Sequence, residues 1–227
     1  MKKLLLFIFF LISTSHIYSQ GLSVDIQTGL SSFKMTDLKK LNSSIHMPFK
    51  TKLLSDYPAY YYFQPSIFLT LKNINVGLSY SFHATGSRIS RKDYSGEYYF
   101  DTKVKSNSYS LNLEYNTTQN IKANIFIYSE LGILKSFLNL KEYFDLYDKN
   151  LINDKYYFTS KNNYFEPGIK ITYPIRGLSF ALNFGYFFQF GKGSFQQTGN
   201  SKNTLTIKAK PNWAGYRIGI SIRYQLS

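Results

Sequence analysis

Residues 213–227 alternate apolar and polar side chains with a strict period of two. Ala214, Tyr216, Ile218, Ile220, Ile222, Tyr224 and Leu226 share one face of an extended chain, and Gly215, Arg217, Gly219, Ser221, Arg223 and Gln225 share the other. Aromatic residues near both ends of the apolar face, with arginines opposite, suit a membrane-crossing strand of a closed barrel better than a soluble strand. The pattern recurs upstream: residues 21–33 set Leu22, Val24, Ile26 and Leu30 against Ser23, Asp25, Gln27, Gly29 and Ser31. Further strands are predicted over 60–72, 74–85, 107–116, 121–140, a stretch ending at Tyr173, and 178–190. Tight turns at Asn73, 117–120 and 174–177 alternate with long polar segments at about 34–59, 86–106, 141–160 and 191–212. Short turns on one side and long loops on the other are the outer-membrane pattern, and an even strand count puts both ends of the barrel chain at the periplasmic rim. The predicted fold is all-β: a transmembrane antiparallel up-and-down β-barrel of about eight strands. Within the first loop, residues 36–41 predict one or two helical turns capped by Thr36 or Asp37.

A soluble lipocalin-like barrel would also alternate, with its apolar face inward. Filling a narrow barrel with this many Leu, Ile, Phe and Tyr side chains is sterically difficult, so the apolar face is expected to meet lipid. The polar face then points inward, carrying Asp25, Glu114, Lys122, Glu130, Glu166, Lys170, Arg217 and Arg223 among Gly, Ser and Asn. Counting from the turns brings Glu130, Glu166 and Arg217 to one level, and Asp25 and Arg223 to the periplasmic end of the first and last strands. Buried carboxylates need cationic or hydrogen-bonding partners, so Arg217 is expected to serve Glu130 and Glu166, and Arg223 to serve Asp25. The expected result is a structural polar plug; an ion or proton path is the alternative.

Lys2 and Lys3 precede an apolar run, Leu4 to Ile12, too short to span a bilayer as a helix, and small residues follow to Ser19-Gln20. This order predicts a signal peptide over 1–19 and a mature barrel over 20–227. Composition agrees: 19% aromatic and 18% charged residues point to much lipid-facing surface, while a mean hydropathy of -0.24 excludes a helical membrane protein but not a barrel. The absence of cysteine excludes disulfides, thiolate metal sites, a cysteine nucleophile and a lipidated amino terminus. A net charge of +14 would suggest nucleic acid only if it formed a stripe. Lys and Arg instead scatter among the inter-strand segments, which predicts surface polarity and attraction to anionic headgroups, and no nucleic-acid partner.

Residues 85–98 are the most distinctive loop. Arg88, Arg91 and Lys92 could engage phosphate or carboxylate, Tyr94 and Tyr98 could stack, and Asp93 and Glu97 could pair the cations or meet a sugar or a cation; the competing reading is a self-satisfied hairpin. The fourth loop contributes Lys192, Lys202, Lys208 and Lys210, which would neutralise lipopolysaccharide phosphates. His46 and His83 lack metal-ligand spacing, and the glycines around Lys192 lack the order of a phosphate loop. No catalytic residue, metal or cofactor is expected.

The chain resembles the small outer-membrane β-barrels of Bacteroidetes-type bacteria, the broad OmpA/OmpX-like barrel group. The resemblance is carried by the signal ending Ser19-Gln20, by Phe165-Glu-Pro-Gly-Ile-Lys-Ile171 and by Tyr216-Arg-Ile-Gly-Ile-Ser-Ile-Arg-Tyr224. It implies outer-membrane location, insertion by periplasmic chaperones and the barrel-assembly machinery, contact with lipid and lipopolysaccharide, and a monomer. It leaves activity open. The leading expectation is a plugged, non-enzymatic barrel whose outer loops provide binding, adhesion or envelope stability. A narrow ion or solute channel and an enzyme built on the barrel rim are the alternatives.

Overall fold

Strand pairing closes into a ring. A computed structural model describes residues 21–44, 51–118, 122–147, 149–191, 193–197 and 209–226; the expected signal, His46, Lys192, Lys202 and Lys208 lie outside them. The elements are β1 (Gly21–Ser31), α1 (Thr36–Ser44), β2 (Lys52–Asp56), β3 (Tyr60–Leu71), β4 (Ile74–Asp93), β5 (Gly96–Asn116), β6 (Asn124–Leu146), β7 (Lys149–Ile175), β8 (Leu178–Phe190), β9 (Gln196–Gln197) and β10 (Gly215–Leu226). The order β4-β3-β1-β10-β8-β7-β6-β5 returns to β4 through a β4–β5 ladder, and β2 and β9 only add to this ring, leaving eight barrel strands. Every pairing is antiparallel, and β1 meets β10 from Leu22↔Leu226 to Ser31↔Arg217. Closure satisfies the backbone donors and acceptors without an edge, which is what a strand-built membrane crossing requires. Among the described residues, no helix is long and apolar enough to cross.

The outward face is apolar around the circumference: Ile26, Ile67, Leu78, Leu111, Leu131, Ile169, Phe184 and Ile220 are all exposed. Tyrosines bracket this band, Tyr61, Tyr109 and Tyr216 toward the loop side and Tyr115, Tyr173 and Tyr224 toward the turn side, as amphipathic rings at two interfaces do. On the turn side, Arg176 (φ 41) and Gly177 (φ 82) make a two-residue connection between the partners Ile175 and Leu178, the mirror-image turn that matches strand twist.

Of residues 86–106 and 141–160, expected as loops, 86–93, 96–106, 141–146 and 149–160 are instead strand. β4 and β5 stay paired from Ile74↔Tyr115 to Asp93↔Gly96, and β6 and β7 from Asn124↔Thr172 to Leu146↔Lys149. The physical reason is that the alternation persists while its sign inverts. Ile133 faces out and is exposed; Leu134 faces in and is fully buried; Lys135 faces out again. Beyond that point Val104, Leu138, Leu140 and Phe158 point inward and lysines point outward, as in a barrel surrounded by water.

The interior therefore has two layers. Toward the turns it is polar and charged. Toward the loops it is an apolar core in which Phe33, Met35 and Leu38, brought in by the segment after β1, meet Leu134, Tyr164, Phe187, Phe195 and Trp213. The expected helix exists and runs on to Ser44. Its entry differs from the capping expectation: the Lys39 N–H donates to the Met35 carbonyl, and Asp37 Oδ2 accepts from the Lys210 N–H at 3.1 Å.

Inward tyrosines lie over glycines on neighbouring strands. A Cβ on Gly168 would sit 2.2 Å from Tyr128 Cζ, and one on its register partner Gly185 would sit 2.4 Å from the same phenolic oxygen. Gly168→Val is therefore expected to swing Tyr128 off Glu166 and to cost roughly 1–3 kcal/mol through overpacking. Urea unfolding in detergent micelles measures this. Gly177→Asn, at a turn with open space around the Cβ position, is expected to cost much less, because Asn tolerates the left-handed region.

Candidate functional site

Two ionic clusters stack along the barrel axis. The one nearer the turns joins Asp25 on β1, Glu114 on β5, Lys170 on β7 and Arg223 on β10. Lys170 Nζ lies 2.6 Å from Asp25 Oδ2 and 3.1 Å from Glu114 Oε1. Arg223 forks onto Glu114 with two bonds of 2.8 Å and reaches Asp25 Oδ2 at 3.0 Å. Asn75 Nδ2 donates to Glu114 at 2.8 Å, and the Phe68 ring lies 4.1 Å from the Arg223 guanidinium. Two carboxylates meet two cations, so the cluster is neutral, and its forked and stacked geometry compensates the loss of water.

The second cluster sits at mid-barrel, where Glu130 and Glu166 are direct partners across β6 and β7. Arg217 Nη1 donates to Glu166 Oε2 at 2.5 Å, with the guanidinium held between the Tyr62 ring at 4.9 Å and the Phe187 ring at 4.5 Å. Arg217 does not bond Glu130 directly. Gln64 lies between them, donating to Glu130 Oε1 at 2.5 Å and accepting from Arg217 Nη1 at 3.5 Å. Ser110 and Tyr164 hydroxyls add bonds of 3.4 Å to Glu130, and Tyr128 donates to Glu166 at 3.1 Å. His83, which contacts Arg217 and Ser81, is 1% exposed and stacks on Tyr62. Among the described residues no carboxylate hydrogen-bonds it to build an acid–base pair. Lys122 is exposed in the turn before β6 begins, not inside.

Sequence reasoning missed Gln64, Asn75, Tyr62, Tyr128 and Tyr164 as members of these clusters. Their signal was parity alone, since each shares the inward phase of its strand.

Of the outer-loop candidates, Arg91, Asp93 and Glu97 line a cleft of only about 30 Å³ near the hairpin tip, and Arg88 lines a separate groove. Arg88 forks onto Asp101 with bonds of 2.5 and 2.6 Å, Arg91 pairs with Asp93 at 3.2 Å, and Lys92 approaches Glu97 at 3.8 Å. Tyr94 stands 98% exposed at the hairpin tip. Hydrogen bonds from Ser95, then the charge of Arg91, hold the Asp93 carboxyl below its ordinary range. Burial, then the neighbouring Glu142, pushes the Tyr98 phenol up. These residues hold the β4–β5 hairpin together sideways.

Two grooves open on the external wall near the loop side of the apolar band. One of about 440 Å³ lies between β2 and the outer parts of β4 and β5, reaching Leu54, Arg88 and Lys103. The other, about 590 Å³, runs along β6 and β7 under residues 193–196, with Tyr109, Ile133, Lys135 and Lys161 in its lining.

No protein-family model matches this chain, and no curated protein does. Solved structures do match. Neisserial surface protein A is 13% identical with a TM-score of 0.43 over 92% of this chain and 99% of its own. Ail, the attachment invasion locus protein of Yersinia pestis, solved with the heparin analogue sucrose octasulfate, is 10% identical with a TM-score of 0.46 over 90% of this chain and 100% of its own. A major outer membrane protein from Thermus thermophilus is 12% identical with a TM-score of 0.51, over 90% of this chain and 99% of that one. At that identity the likeness to the Thermus protein is one of fold: the chain is built as a small outer-membrane β-barrel.

Proposed function

We propose that the protein is exported by its amino-terminal signal, is inserted into the outer membrane as a closed, non-conducting monomer of the Bacteroidetes-type small-barrel kind, and serves as a surface-binding platform. One observation carries the binding role. The strands β4 to β7 stay hydrogen-bonded to their tips, far past the lipid-facing band. From Asn107 to Gly96 the wall rises about 35 Å along β5, and a fully paired sheet of this size presents a fixed surface where a loop would present a mobile one. The filled interior supports the non-conducting part, because an eight-stranded barrel has room only for its own side chains. A non-enzymatic role is supported by the burial of His83 and of both mid-barrel carboxylates beneath the apolar layer.

In planar bilayers the reconstituted protein is expected to give no stable single-channel openings; discrete openings would establish a conduit instead. Replacing residues 87–102, which begin and end on the register pair Ser87↔Thr102, by Asn-Gly is expected to abolish cell-surface attachment while leaving a folded, heat-modifiable barrel. Attachment unchanged by this shortening would sink the platform reading.

A further inference from the structure

The external wall of β5 to β7 carries cations with nothing to balance them. Lys135 on β6 lies directly opposite Lys161 on β7, Asn107 on β5 faces Lys135, and Lys105 is therefore on the diagonal from it. Like charges placed directly opposite each other destabilise a sheet. Lys103, Lys105, Lys135 and Lys161 are all exposed, and among the described residues none has a carboxylate partner. Of the acids on the outward face of β5 and β6, Asp101 is taken by Arg88, Glu97 approaches Lys92 and Asp145 accepts from the Tyr143 hydroxyl.

Their height is specific. On the same outward face Lys135 follows the exposed Ile133, and Lys105 and Lys161 stand above the exposed Tyr109 and Phe165. The ammonium groups thus stand about 7 to 14 Å along the strands beyond the last lipid-facing side chains, the depth of headgroup phosphates. On β8 and β10 the outward positions toward the loop side are Phe188, Phe190 and Tyr216, with Lys34 over the Tyr186 ring, so the lysines placed opposite and diagonal to one another are those of β5 to β7. The 590 Å³ groove joins both chemistries, with Tyr109 and Ile133 continuing the apolar band and Lys135 and Lys161 above them.

We propose that this wall is a binding site for the phosphates of an anionic glycolipid of the outer leaflet, its acyl portion lying on the apolar band and its phosphates between Lys105, Lys135 and Lys161. This rests on the outer-membrane reading above. The apolar floor directly beneath the cations favours a membrane-anchored phosphate over a soluble polyanion. The field of such a surface favours each nearby cation by about fivefold in binding.

The test uses the full-length barrel in detergent micelles, titrated with bisphosphorylated lipid A, its dephosphorylated form and soluble inositol hexakisphosphate. The variant Lys105→Gln/Lys135→Gln/Lys161→Gln is compared with Lys72→Gln/Lys122→Gln/Arg176→Gln, which removes the same charge from exposed positions at the turn end. The first variant is expected to weaken bisphosphorylated lipid A binding on the order of 100-fold, and the second less than about twofold. The dephosphorylated lipid should bind weakly to all three proteins. Equal losses in the two variants, or none in the first, would overturn the site. Binding of inositol hexakisphosphate as tight as that of lipid A would overturn the lipid assignment. Flotation with phosphatidylcholine vesicles separates the two readings: a protein that does not float refutes the membrane barrel, whereas one that floats without preferring lipid A refutes only this site.

Discussion

Arg217→Met is expected to destabilise the barrel by roughly 3–5 kcal/mol, the cost of leaving a buried charge without its partner. Arg217 is 2% exposed and holds Glu166 at 2.5 Å, and Glu130 sits directly across from Glu166. Without the guanidinium two carboxylates face each other in a dry interior, with only neutral donors from Gln64, Tyr128, Ser110 and Tyr164. Urea unfolding in detergent micelles, followed by the gel mobility of the folded barrel, measures the loss. Adding Glu166→Gln to Arg217→Met should restore most of it, because the remaining carboxylate keeps its own donors. Arg217→Lys should recover little, since an ammonium cannot fill the slot between Tyr62 and Phe187 that the planar group occupies. If Arg217→Met unfolds at the wild-type urea concentration, the mid-barrel pair is not a stabilising ionic lock.

Trp213→Ala is expected to cost a similar amount, about 3–5 kcal/mol, for a different reason: lost burial plus the cavity left behind. The indole is 1% exposed, meets the Phe33 ring edge-on at 4.8 Å and donates from Nε1 to Ser136 Oγ at 2.9 Å. Trp213→Phe keeps much of the volume and strips Ser136 of its donor, so a smaller loss of about 1–2 kcal/mol is expected. Because the chain has a single tryptophan, the wild-type protein reports on this layer directly. Its emission should be that of a buried indole and should shift to the red as the loop-side core opens. A solvent-exposed spectrum in the folded protein would contradict the apolar layer.

The strands that stay within the membrane were legible in the sequence because one environment acts along their whole length. In β1, β3, β8 and β10 every second residue meets lipid, and period and sign agree. The strands β4 to β7 leave the membrane, and there polarity misled: Lys103, Lys105 and Arg88 face water, so the segment reads as hydrophilic although Ile89, Tyr98 and Val104 keep the inward phase. The proximity of Asp25 and Arg223 followed from the need for the first and last strands to pair. The bond from Arg217 to Glu166 but not to Glu130 did not, because it depends on how Gln64 reaches across the lumen from β3. Period-two parity places a residue inside or outside; it carries no information about which strands face each other through the interior.

The ladder between β1 and β10 also constrains the order of events in biogenesis. Asp25 and Arg223 are 198 positions apart, so the barrel cannot shut until nearly the whole chain has been made. Before then β1 and β8 each expose an unpaired edge, and Asp25 and Glu114 share Lys170 alone. Closure of so non-local a contact is slow compared with hairpin formation. An escort that shields those two edges until β10 docks would protect the nascent chain from aggregation, and the arrival of Arg223 would complete both the sheet and its charge balance in one step.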